Sequence, residues 1–162
     1  MASSQRVASA DMEHTSTITI EADSAPGVSL RLHKPTKTRK AVFVRLAADA
    51  MERVQRLIAE ARALQAKPEA ECDTARLVAV VQLLGAEVET VNAARVFCFL
   101  ESTPGLLIDG VAPTVQAFIA DAPDKLRQEC VTRIQEMLAT ADEPQNPATS
   151  ELTMQDPSWT VQ

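Results

Sequence analysis

The chain has 162 residues, a length for about one domain. Apolar residues make up 46% but aromatics only 3%, so Leu, Val, Ile, Ala and Met must build the core, and four glycines are too few for an all-β fold dense in tight turns. A net charge of −6 argues against bulk attraction to nucleic acid or to an anionic membrane.

The charge is unevenly spread. Residues 28–46 hold Arg31, Lys34, Lys37, Arg39, Lys40 and Arg45 without a single acid, while residues 1–27, 47–141 and 142–162 are each net acidic. Only this stretch could supply an electropositive surface. Cys72, Cys98 and Cys130 are odd in number and widely spaced, which makes neither a disulfide framework nor a zinc pattern. All three fall on predicted helices and read as buried, reduced thiols. The opening MASSQRVASADMEHTST has no apolar run of signal-peptide length. No stretch reads as long and apolar enough to span a bilayer without polar interruption. The setting expected is cytoplasmic or nuclear, with no membrane.

Along the chain, residues 1–15 are small and polar and read as a disordered arm. TITIEA (17–22) and VSLRL (28–32) alternate in polarity and flank the turn residues DSAPG, so they predict a β-hairpin. HKPTKTRK (33–40) reads as a polar loop. AVFVRL (41–46) predicts a third strand, with Val42, Val44 and Leu46 on one face and Arg39, Phe43 and Arg45 on the other. The expected sheet therefore spans about 17–46.

Helical spacing follows. Met51, Val54, Leu57, Ile58, Ala61 and Leu64 predict a helix over about 47–66, with Asp49–Arg53 and Glu52–Arg56 as outer i,i+4 pairs. Pro68 marks its end, and Asp73 or Thr74 offers an N-cap to the next helix, about 74–101. There Leu77, Val81, Leu84, Val88, Val91, Arg95 and Cys98 keep a 4-3 spacing, while Ala79, Leu83, Ala86, Ala93, Phe97 and Leu100 make a second apolar row. A helix apolar on two sides wants two neighbours. Pro104 and Gly105 stop it. Asp109-Gly110 is turn chemistry. A short helix is expected at about 113–120. A last one, about 122–140, is capped by Asp121 and buries Leu126, Cys130, Ile134, Met137 and Leu138, with Lys125, Glu129, Arg133 and Glu136 facing water. Residues 142–162 read as a disordered acidic tail carrying Trp159. The fold class is α+β, mainly helical: a small antiparallel sheet, then three main helices and one short one, in a single domain over 16–141.

No catalytic constellation emerges. The glycines are scattered, the only histidines are His14 and His33, and Glu87 and Glu89 are two apart on a helix and point to different sides. The expectation is a protein that is not an enzyme and needs no cofactor or metal.

Two functional readings remain. In the first, the protein is a small helical subunit or adaptor that self-associates or binds another protein through Leu77, Val81, Leu84, Val88, Val91 and Arg95. Arg95 sits on the apolar seam, where it must either snorkel to the edge or meet an acid of another helix or chain. In the second, Arg31, Lys34, Lys37, Arg39, Lys40, Phe43 and Arg45 bind nucleic acid as part of a transcriptional regulator. KAVFVRLAADAMERVQRLI (40–58) resembles the start of a ribbon-helix-helix repressor, a likeness confined to this segment. It implies a strand in the major groove with Arg39, Phe43 and Arg45 outward and Lys34, Lys37 and Lys40 on phosphates. The chain departs from that pattern in its longer helix, in lacking a glycine turn after it, and in the two strands before the ribbon. The same cations would also serve as a solvated edge that discourages sheet pairing, or as a docking patch for an acidic surface such as the tail from Asp142 to Asp156.

Overall fold

A computed structural model of the chain describes residues 16–142. The arm before Ser16, with His14, and the tail after Asp142, with Trp159, lie outside the described residues. The fold is α+β and mainly helical, as the composition and periodicity require.

Strands β1 (Thr17–Glu21) and β2 (Ser29–His33) form the expected hairpin, with Ile18 opposite Leu32 and Ile20 opposite Leu30. Leu30 and Leu32 are fully buried, so the period-2 pattern places its apolar face on the core. The third strand does not come from 41–46. It is β3 (Leu100–Ser102), which pairs antiparallel with β2 through a bulge at Arg31/Leu32 and leaves β2 central.

Residues 41–46 belong instead to helix α1 (Lys37–Gln65), which runs ten residues ahead of the expected start. Thr36 supplies the cap: its hydroxyl accepts from the Arg39 N–H at 3.1 Å, just after Pro35. Once the helix starts there, Phe43, Ala47 and Ala50 fall on one face at 4-3 spacing, and all three are buried. Val42, Val44 and Leu46, read as the core face of a strand, are exposed. A two-residue alternation over six positions lost to a helical face continued over the next four turns.

Helix α2 (Thr74–Phe99) returns antiparallel to α1 after a turn holding one 3-10 segment, Glu69–Glu71. Its N-cap is Asp73, whose carboxylate accepts from the Arg76 N–H at 2.9 Å. Cys72 lies in this turn rather than on a helix, and it is half-buried, whereas Cys98 and Cys130 are buried. All three are free thiols. Two ion pairs bridge α1 to α2: Arg53 to Glu87 at 2.8 Å and Arg76 to Glu60 at 2.7 Å. The expected Glu52–Arg56 pair forms along α1, but Arg53 reaches across the seam rather than pairing along its own helix.

Helix α2 passes directly into β3 at Leu100, with no intervening turn. Asp109 and Gly110 then turn the chain at positive φ between the bridged residues Ile108 and Val111. Helix α3 (Val115–Asp121) is capped by Thr114, and helix α4 (Asp124–Asp142) follows. Asp121, expected to cap α4, is the last residue of α3. Burial of Phe99, Phe118, Leu126, Cys130 and Ile134 knits α2, α3 and α4 to the sheet's Leu30 and Leu32 in one core. Burial raises the Cys130 thiol to about 12, with Glu129 beside it adding to the effect.

Glu129 does not face water as expected. Its carboxylate ties α4 to the β1–β2 loop, accepting from the Asp23 N–H at 2.7 Å, the Ser24 N–H at 2.9 Å and the Ser24 hydroxyl. Arg133 reinforces the joint through Asp23 at 2.9 Å. Burial alone would raise the Glu129 carboxyl, but the Ser24 hydroxyl, the two loop N–H groups and Arg133 together hold it below its ordinary value. A lowered folded value stabilises the fold above the ordinary 4.5, and that contribution is lost as pH falls through the lowered value.

Glu129→Gln should therefore cost about 1–3 kcal/mol at neutral pH and flatten the stability loss that sets in as pH falls below the ordinary 4.5, read by urea denaturation. Gly105 gives a second test. It has φ +87, and a Cβ there would lie 2.1 Å from the Gly27 carbonyl oxygen. Gly105→Ala should lower the urea midpoint by an amount equivalent to about 1–3 kcal/mol, whereas Gly110→Ala meets no neighbouring atom and should cost less.

Candidate functional site

The α1–α2 hairpin carries most of the large apolar side chains that are exposed among the described residues. Of the 26 residues of α2, only Val80, Val91, Val96, Cys98 and Phe99 are buried. By length and composition this helix could also cross a membrane. This differs from the expectation that no stretch is long and apolar enough to do so; Glu87 and Glu89 lie within the helix without breaking its apolar length.

The 4-3 seam is divided by the fold. Val91 is buried, Leu77 and Leu84 are half-buried between the helices, and Val81 and Val88 point outward, Val81 with 54% exposure. The centre of the α1 contact runs instead through Val80, Val91 and Cys98. At 100° per residue this is a small rotation, enough to turn Val81 and Val88 to the surface.

The bridging ion pairs Arg53–Glu87 and Arg76–Glu60 mark one flank of the hairpin. That flank also carries exposed Val42, Leu46, Leu83 and Phe97. The opposite flank carries Val44 and Met51 from α1 and Val78, Val81 and Val88 from α2, all exposed. On α2, Val78, Val81, Gly85, Val88 and Asn92 fall within an arc of roughly 80°. Val78 and Gly85 are not among the residues expected from the sequence. Their signal was a glycine inside a helix, which costs roughly 0.5–1 kcal/mol relative to alanine. Among the described residues no packing contact requires it, since a Cβ there meets nothing within 4 Å beyond the adjoining helix backbone. Where the stripe reaches Val88 and Asn92 it opens into a groove of about 870 Å³ between α2 and α4, walled by Val96, Phe118 and Val131.

Arg95 takes neither expected course. Its guanidinium lies 5.2 Å from the centroid of Phe43 and donates through Nη1 to Asn92 Oδ1 at 2.8 Å, while its buried Nε has no partner among the described residues. Burial pulls its pKa below the ordinary arginine value, and no carboxylate acts to restore it. Two phenylalanines support it: Phe43 and Phe99 have ring centroids 6.1 Å apart.

The basic stretch is dispersed. Arg31 pairs with Glu101 at 2.8 Å. Arg39 donates to the Cys98 carbonyl at 3.0 Å. Phe43 is core, Lys34, Lys37 and Arg45 are exposed, and Lys40 is half-buried. Because residues 37–46 are helical, Arg39, Phe43 and Arg45 share no strand face, and the ribbon that the repressor likeness implies is not formed. His33, Lys34 and Arg39 instead rim a hollow of about 750 Å³ floored by Val42 and Phe97. There burial, then Arg39, lowers the His33 pKa against an opposing pull from Glu101. Among the described residues no group of three or more His, Cys, Asp or Glu could hold a metal ion. Comparison with protein-family models, with curated proteins and with solved structures finds no match.

Arg95→Met should change the denaturant midpoint by the equivalent of less than about 1 kcal/mol, because it exchanges a modest cation–π contact for relief of a desolvated charge. Phe43→Ala should cost about 3–5 kcal/mol.

Proposed function

We propose that the protein is a non-enzymatic interaction subunit whose α1–α2 hairpin packs against a helical surface of another protein or of a second copy. The observation that carries this reading is the exposed apolar flank of Val44, Met51, Val78, Val81 and Val88. Several large apolar side chains gathered on one flank are the kind of patch that marks an association surface. Helix-in-groove recognition reads such a patch at i, i+3, i+4 and i+7, the spacing that Val78, Val81 and Val88 present with Gly85. The alternative, nucleic-acid binding through the basic stretch, loses the strand on which its side chains were to be aligned.

The test is a paired one on the full chain. Val78→Glu/Val81→Glu should leave the helical circular dichroism and melting intact and abolish association, whether read as self-association by sedimentation or as a stoichiometric co-purifying protein. A parent protein that stays monomeric and partner-free overturns the reading. Fluorescence anisotropy with labelled duplex DNA should show no binding at low salt. Binding with a steep salt slope, lost in Arg39→Ala/Arg45→Ala, would overturn it in favour of a nucleic-acid regulator.

A further inference from the structure

Resting on that reading, we infer that the occupant of the open flank is a second copy of this chain, crossing antiparallel with a two-fold axis at Gly85. The first observation is the glycine itself. It lies near the middle of the 26-residue α2, flanked on the same stripe by Val81 and Val88, and among the described residues nothing beyond the adjoining helix backbone lies within 4 Å of an added Cβ. A mid-helix glycine that no described packing contact requires is what a close backbone approach from outside would use.

The second observation is that the stripe is nearly self-complementary about that point. Under a two-fold axis, a residue a given number of places after Gly85 meets the residue the same number before it in the other copy, as an isologous contact demands. Val88 then lies beside Val81 of the second copy, and Asn92 faces Val78. No charged side chain falls on the stripe, so no like charges are brought together.

The third observation is charge. Arg95, ten residues after Gly85, is a half-buried cation on this side of the seam with no carboxylate partner among the described residues. Glu69, Glu71 and Asp73 form an acidic turn at the other end of α2, Asp73 being twelve residues before Gly85. An antiparallel crossing carries the acidic end of one copy toward Arg95 of the other, within two residues of register, about 3 Å along the axis. A parallel crossing would leave both unanswered. Size is at the lower limit for a stable interface. Two neighbouring helices spaced roughly 9 Å apart, open over the roughly 27 Å from Thr74 to Asn92, present an area of the order of 500 Å² per partner, or about 1,000 Å² in total, about the least a specific interface buries.

The full chain should sediment as a species of twice 17.5 kDa at micromolar concentration. Gly85→Leu should keep the helical spectrum while raising the dimer dissociation constant roughly 100-fold or more, because two added side chains meet at the axis. In a Cys72→Ser background, Gly85→Cys should oxidise to a covalent dimer, and Leu83→Cys on the other flank should not. A dimer that Gly85→Leu leaves intact, or that Gly85→Cys fails to lock, overturns the inference. A parent monomer that binds a different protein, or floats with lipid vesicles, through the Val78–Val81 flank also overturns it. In the protein case the broader interaction reading stands. A monomer with no partner overturns both.

Discussion

The fold depends on the contact between Phe43 and Phe99. Phe43 sits nearly two turns into α1 and Phe99 at the last residue of α2, so their rings close the base of a long antiparallel hairpin. Everything else gathers there. β3 begins at the next residue, Phe118 and the buried face of α4 pack around Phe99, and β2 brings Leu30 and Leu32 to the same core. In a chain this poor in aromatics, two phenylalanine rings at one junction carry a large share of the available buried area. Beyond that base, α1 and α2 have mainly each other, which is why apolar residues accumulate on their outer flanks.

What could be read from the sequence follows how far each signal extends. The β1–β2 hairpin was legible because two alternating runs flank strong turn residues, and α2 and α4 because their apolar spacing persists for many turns. Residues 41–46 misled because Val42, Val44 and Leu46 alternate over a span too short to separate strand from helix. The deciding information was Thr36 upstream and the Phe43–Ala47–Ala50 face downstream. β3 could not be read at all. Three residues that continue an apolar helix carry no period of their own, and only their partner β2 makes them a strand.

The candidate surface was legible in part. Its helix was identified, and its seam was read with a small error in rotation that exchanged Val80 for Val81 as the contact centre. Arg95 was seen as anomalous, but a ring stacked beneath it cannot be inferred from spacing along one helix, since Phe43 comes from the other. Glu129 shows the same limit. It lies on the polar side of α4 by periodicity, yet the β1–β2 loop folds over it and converts a solvent-facing carboxylate into a three-point anchor. The basic stretch is local in sequence but not in space, because the chain passes from strand to helix within it and sends its cations to different surroundings.

The direct passage from Phe99 to Leu100 gives the hairpin mechanical authority over the sheet. Hinges are built from a few loop or element-terminal residues that absorb dihedral change, and no loop separates α2 from β3. α2 therefore behaves as the long arm of a lever, with its fulcrum at the paired rings and its short arm hydrogen-bonded to β2. A displacement at the far tip, some 39 Å away by helix rise, has no loop in its path to absorb it before a three-residue strand already offset by a bulge, so the β2–β3 register is tied to the position of the hairpin.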